Sequence, residues 1–142
     1  MDERERLVRE AWTALLSLFL GDEARGRVHD AVAAAGLPHP GALKALLLLD
    51  AADPPSMRSL AEQLHCDASY ITNLVGTLET QGYVERRTSA HDGRVKLVHL
   101  TADGERARDH ARHTIEQPPT AFDRLTDAQI RNLAHLTARL GD

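Results

Sequence analysis

A mainly α-helical chain with one small β-hairpin is the fold class that three observations in the sequence predict. Apolar residues recur at helical spacing over most of the 142 residues. Two short runs near residues 83–100 alternate apolar and polar positions instead, with Asp92-Gly93 between them. Two short helical stretches directly before those runs meet at His65-Cys66-Asp67, where the helical pattern breaks.

The elements follow in order. Leu7, Ala11, Ala14, Leu15, Leu18 and Phe19 share one stripe of a helix that runs to Gly21, and a second helical stretch from Glu23 reaches Ala35 and Gly36. Pro38 and Pro40 form a connection. Ala42 to Ala51, rich in leucine, predicts a broadly apolar supporting helix. Ser56 suits a helix N-cap, and Leu60, Ala61 and Leu64 then place a short amphipathic helix over Met57–Leu64. Asp67 is suited to cap the next helix, Ala68–Thr80, whose inward stripe is Ile71, Leu74, Val75 and Leu78, and Gly82 ends it.

That pair has helix-turn-helix spacing. Its second helix carries Ser69, Tyr70, Thr72, Asn73 and Thr77 outward, short polar groups of the kind that reach base edges or phosphates in a major groove. Residues 83–87 and 95–100 read as strands, joined by Ser89-Ala90-His91-Asp92-Gly93, a loop whose Asp-Gly step tolerates positive φ. The hairpin is a wing. After it, Ala102 opens a charged helix to about Gln117, which Pro118-Pro119 stops because proline lacks an amide donor. Thr126 and Gln129 form a capping box for a last helix with Ile130, Leu133, Leu136, Thr137 and Leu140 on one face.

Composition narrows the function classes. The chain is one domain's worth of sequence, 42% hydrophobic with net charge -4. No apolar run approaches the roughly 20 residues that span a bilayer, and the first residues are too acidic for a signal segment, so a cytoplasmic protein without membrane contact is expected. A single cysteine excludes an internal disulfide and the paired-cysteine zinc motifs. Phosphate-loop and dinucleotide fingerprints are absent, and His65-Cys66-Asp67 are sequence neighbours whose side chains diverge in a turn, so no enzyme and no cofactor is expected.

Leu60-Ala61-Glu62, Asp67 through Glu79, Gly82-Tyr83-Val84-Glu85-Arg86-Arg87, Asp92-Gly93-Arg94 and Leu100-Thr101 together resemble the MarR family of bacterial multiple-antibiotic-resistance regulators. The Asp-x-Arg pattern in the wing, ahead of a strand ending in Leu-Thr, is the most specific part. The resemblance implies a winged helix-turn-helix fold with N- and C-terminal dimerisation helices, divided as 1–36, 37–101 and 102–142. It implies a homodimer on near-palindromic operator DNA, the helix Ala68–Thr80 in the major groove and Arg94 in the minor groove, with Asp92 orienting that arginine. The interface residues expected are Arg58, Ser69, Tyr70, Thr72, Asn73, Arg86, Arg87, Arg94 and Lys96. Relatives suggest a repressor released by a small aromatic or phenolic effector held near the dimer helices, where Trp12 and Phe19 either line a cleft or pack a dimer.

One departure stands out. Where the family commonly has Lys or Arg, this chain has Asn73 and Thr77, and no basic residue lies between Arg58 and Arg86. From Ser56 to Leu100 five basic residues face five acidic ones, Glu62, Asp67, Glu79, Glu85 and Asp92. Shallow salt dependence and a weak sequence-independent component are expected. The alternatives are a winged-helix protein-interaction module with weak or no DNA binding, and a redox- or metal-responsive regulator using Cys66 or the His110/His113 pair.

Overall fold

The computed structural model describes residues 2–141; Met1 and Asp142, both inside the terminal segments assigned above to dimerisation, lie outside the described residues. Seven α-helices and one antiparallel hairpin are found among them, with a 3-10 turn at Thr120–Arg124. They group into two compact units, one of residues 25–116 and one made of the two ends of the chain, up to Ala24 and from Gln117.

Within residues 25–116 the helices are stopped by repeated use of one device. Helix α2 (Asp22–Ala34), α4 (Met57–Gln63) and α5 (Ala68–Thr80) each give way to a residue with left-handed backbone, at Gly36 (φ 65°), His65 (φ 51°) and Gly82 (φ 74°). The following amides turn back onto the helix, as with Leu37 N to Val32 O (3.0 Å), Cys66 N to Ala61 O (3.0 Å) and Tyr83 N to Leu78 O (2.9 Å). Glycine takes that conformation freely at two of the three. His65 takes it with a side chain.

The N-termini are capped as the sequence predicts. Ser56 Oγ accepts from Ser59 N (3.0 Å) and Asp67 Oδ1 from Tyr70 N (2.8 Å). The leucine-rich helix differs from expectation: α3 is Pro40–Leu47, not residues 42–51. It starts earlier because the His39 ring caps it, Nδ1 accepting from Ala42 N (3.3 Å), with proline in the first turn, where its missing amide costs nothing. It stops earlier because Asp50 Oδ1 takes the Ala52 amide into a turn (2.9 Å), while arginines of helix α6 (Ala102–Ile115) satisfy carbonyls near its end: Arg108 Nη1 donates to Leu49 O (2.9 Å) and Arg112 Nη2 to Leu47 O (3.3 Å).

One core results. Leu43 and Leu46 of α3, Leu60 of α4, and Ile71, Leu74, Val75 and Leu78 of α5 are at most 2% exposed, joined by Val84 and Val98 of the hairpin, Ala31 and Val32 of α2 and Ala111 of α6. Each buried leucine, isoleucine or valine side chain among these contributes about 1.5–3 kcal/mol through burial. Strand β1 (Val84–Thr88) pairs antiparallel with β2 (Lys96–Leu100), Val84 opposite Leu100 and Thr88 opposite Lys96. Helix α6 packs on this sheet through Gly104, where a side chain would collide with the Tyr83 carbonyl oxygen.

The unit made of the chain ends is different. Helix α1 (Glu3–Phe19), opened by an Asp2/Glu5 capping box, and helix α7 (Asp127–Ala138), opened by Thr126/Gln129, bury no residue. Glu23 carboxylate oxygens accept from Thr120 N (3.0 Å) and Thr120 Oγ1 (3.1 Å), which caps the 3-10 turn. Trp12 (57% exposed), Phe19 (68%) and Leu140 (77%) lie open. Among the described residues no helix is long and apolar enough to cross a membrane.

Candidate nucleic-acid interface

Helix α5 presents two unlike faces. Ile71, Leu74, Val75 and Leu78 go into the core, so helical geometry turns Ser69, Tyr70, Thr72 and Asn73 to the surface, where all four are exposed. Their hydrogen-bonding capacity is not equal. Thr72 Oγ1 is spent on Ala68 O (2.7 Å) and Thr77 Oγ1, half-buried, on Asn73 O (3.0 Å). Ser69 and Asn73 have no hydrogen bond from their side chains to any described residue. An asparagine amide open in this way offers the donor and acceptor pair that matches adenine in the major groove.

Tyr70 lies differently from its neighbours. A Cβ placed on Gly41 would stand 2.7 Å from Tyr70 Oη and 3.0 Å from His39 Nδ1. The phenol therefore runs back over the first turn of α3, in the space that glycine leaves there. Sequence spacing put Tyr70 on the outer face but held no signal for this seat.

The wing is built on the same register logic. Val84, Arg86 and Thr88 share one face of β1, and Glu85 and Arg87 the other. The loop is closed by Ser89 N to Val95 O (2.8 Å) and Val95 N to Asp92 O (3.0 Å), while Asp92 Oδ1 accepts from Arg94 N (3.0 Å). Neither Asp92 nor Gly93 takes a positive φ, so the turn uses the aspartate side chain and not the backbone freedom that the Asp-Gly step offers. Arg94 Nε reaches the same oxygen at 3.3 Å, and its side chain is 92% exposed. The Arg94 backbone amide, and after it the Arg94 guanidinium, hold the Asp92 carboxyl below the ordinary aspartate range.

Every other arginine between Ser56 and Leu100 also has an acidic neighbour. Arg58 Nε meets Glu62 at 3.0 Å, Arg87 Nη2 meets Glu85 at 2.8 Å, and Arg86 Nη2 meets Glu79 Oε1 at 2.7 Å. In the last pair the two groups touch without a well-directed hydrogen bond to the buried Glu79 oxygen, so it is a contact of charges. It ties the wing to the end of α5. Lys96 Nζ donates to the neutral Thr88 hydroxyl (2.6 Å). These pairings were legible in part, because Arg58 and Glu62 stand four apart on a helix and Glu85 and Arg87 two apart on a strand.

Among the described residues no three of His, Cys, Asp and Glu gather into a metal-binding group. Cys66 is a free thiol, half-buried against the core.

Comparison with known proteins supports the same geometry. The family model described as "MarR family" matches residues 40–96, the span from α3 through the wing. The HTH-type transcriptional regulator YdgJ of Bacillus subtilis is 31% identical over 98 residues, 69% of this chain and 56% of that protein. The organic hydroperoxide resistance transcriptional regulator of the same organism is 37% identical over 60 residues, 42% of this chain and 41% of that protein. The chain thus spans about half the length of these curated relatives. A MarR family protein from Bacillus stearothermophilus has the same fold, with a TM-score of 0.76 at 20% identity over 99% of this chain and 96% of that one. With the helix pair, capped second helix and antiparallel wing in that order, residues 40–96 form a winged helix-turn-helix domain that matches the MarR family model, and the chain shares the fold of a MarR family protein along its length.

Proposed function

We propose that the protein is a homodimeric, sequence-specific DNA-binding transcriptional regulator of the cytoplasm, and a repressor that a small aromatic or phenolic compound releases. One observation carries the reading: the exposed face of α5 offers Ser69 and Asn73 with unspent polar groups, and the wing beside it extends Arg94 almost wholly into solvent. The family and the names of the two Bacillus subtilis relatives support it.

In this reading Ser69 and Asn73 face base edges, Arg94 enters the adjacent minor groove with Asp92 fixing its root, and Arg58, Arg86, Arg87 and Lys96 meet phosphates. Thr72 and Tyr70 contribute surface more than free hydrogen-bonding groups, since the hydroxyl of one is engaged and that of the other is turned to α3. No step of covalent chemistry is assigned to any residue. Residues 1–36 and 102–142 serve dimerisation and 37–101 DNA docking, while α2 and α6 also bury Ala31, Val32 and Ala111 in the winged unit. A second copy is the partner that covers the apolar side chains left open on α1 and α7, because burial of apolar surface yields about 25 cal/mol per Å².

An electrophoretic shift with the DNA upstream of the protein's own coding region tests the reading. Specific retention at micromolar concentration or tighter supports a regulator. No retention at low salt supports instead an interaction module that does not bind DNA, a reading favoured by the absence of any basic residue between Arg58 and Arg86.

A further inference from the structure

Glu85 and Arg87 stand on one face of β1, and a single Glu85 oxygen lies 2.8 Å from Arg87 Nη2 and 3.2 Å from Nε. Both side chains are more than half exposed. The pair is therefore open to exchange with any anion that arrives from solution. Glu85 has no other side-chain bond among the described residues, whereas Asp92 also shapes the wing loop through the Arg94 amide and Glu79 is packed at the end of α5. Of the acidic partners of the three wing arginines, Glu85 is the one whose only evident work is to occupy an arginine, as Glu62 does for Arg58 on α4.

A phosphate approaching Arg87 must displace Glu85 and also meets its negative charge. That competition weighs most on DNA held by charge alone, because sequence-independent binding has little besides phosphate contacts. It weighs less on a site held additionally through base edges by Asn73 and Ser69. We infer that Glu85 is a specificity-determining residue of the DNA interface: it holds Arg87 back from the backbone phosphates of DNA of arbitrary sequence, whereas a site also held through base edges draws the arginine away from it. The inference rests on the proposed DNA-binding role.

The test is Glu85→Gln in the full-length protein, titrated against a random-sequence duplex by fluorescence anisotropy over a range of salt concentrations. Releasing Arg87 to one further phosphate steepens the slope of log K against log salt by about 0.9. At about 0.1 M salt the same added contact corresponds to roughly eightfold tighter binding. Arg87→Gln in the Glu85→Gln background removes the gain, because Glu85 acts through that arginine. Glu116→Gln, exposed at the C-cap of α6, changes net charge equally and leaves the slope where it was. A Glu85→Gln slope equal to wild type overturns the inference, as does a gain that survives without Arg87, since Glu85 would then be only a repelling charge. If neither wild type nor Glu85→Gln binds any duplex at low salt, it is the DNA-binding role that fails.

Discussion

Glycine-to-alanine substitutions at two helical positions should have opposite effects, and the structure supplies the reason for each sign. At Gly76, inside α5, a methyl group meets nothing within 4 Å. Alanine there gains helix propensity and restricts the unfolded chain, for about 0.5–1 kcal/mol of added stability. At Gly104, in the first turn of α6, the same methyl group collides with the carbonyl oxygen of Tyr83 and reaches 3.0 Å from Leu100 Cδ2. The obstacle is backbone, and it cannot swing away.

Relief at Gly104 requires α6 to move from the sheet, disturbing Thr101 Oγ1 to Gly82 O (2.6 Å) and Thr101 N to Tyr83 O (3.0 Å). Overpacking of this kind costs about 1–3 kcal/mol, which exceeds the propensity gain. Thermal unfolding at fixed protein concentration reads both variants, since an oligomer's midpoint depends on concentration. At about 2–4 °C per kcal/mol, Gly76→Ala should rise by a few degrees and Gly104→Ala should fall. Equal shifts of one sign would refute the packing of α6 on Tyr83.

Further outcomes follow from the same geometry. Arg94→Ala should weaken binding to the upstream DNA by about 1–3 kcal/mol in an anisotropy titration, and a negligible loss would make it a plain solvated residue. Leu74→Ala, at 2% exposure in the core, should cost about 2–5 kcal/mol by denaturant unfolding. Arg108→Met keeps the stem but removes the donor to Leu49 O, and should cost about 1.5–3 kcal/mol in the same assay. Asp92 has a lowered folded pKa, so its contribution to loop order is complete above the unfolded value of about 3.9 and fades as pH falls through the folded one. NMR titration of the wing amides should show the Arg94 amide unchanged from neutral pH down to about 4; a change nearer 6 would contradict the assignment.

The order of elements could be read from the chain because local signals agreed with the tertiary result. Ser56, Asp67 and Thr126 cap helices through side chains next to their own backbone, and Gly36 and Gly82 stop helices by local conformation. The bounds of α3 were not readable in the same way. Leucines from 46 to 49 continue the helical pattern, but the end of the helix is settled by Arg108 and Arg112, some sixty residues further along. His65 carries a left-handed backbone without the glycine that would have announced it. For the interface, periodicity told which residues of α5 face outward; it could not tell which keep their polar groups free. Thr72 and Asn73 are adjacent in sequence and both exposed, yet one hydroxyl bonds its own helix and the other side chain bonds nothing described. The seat of Tyr70 over Gly41 depends on the approach of two helices, which sequence spacing does not carry.

The central claim is that two copies of this chain hold two α5 helices against one face of a duplex. Hydroxyl-radical footprinting of the purified protein on its upstream DNA addresses it most directly. The account predicts two protected tracts about 34 Å apart, one helical turn, with protection of the flanking minor grooves lost in Arg94→Ala. A single protected tract, or uniform weak protection along the whole fragment, would contradict it.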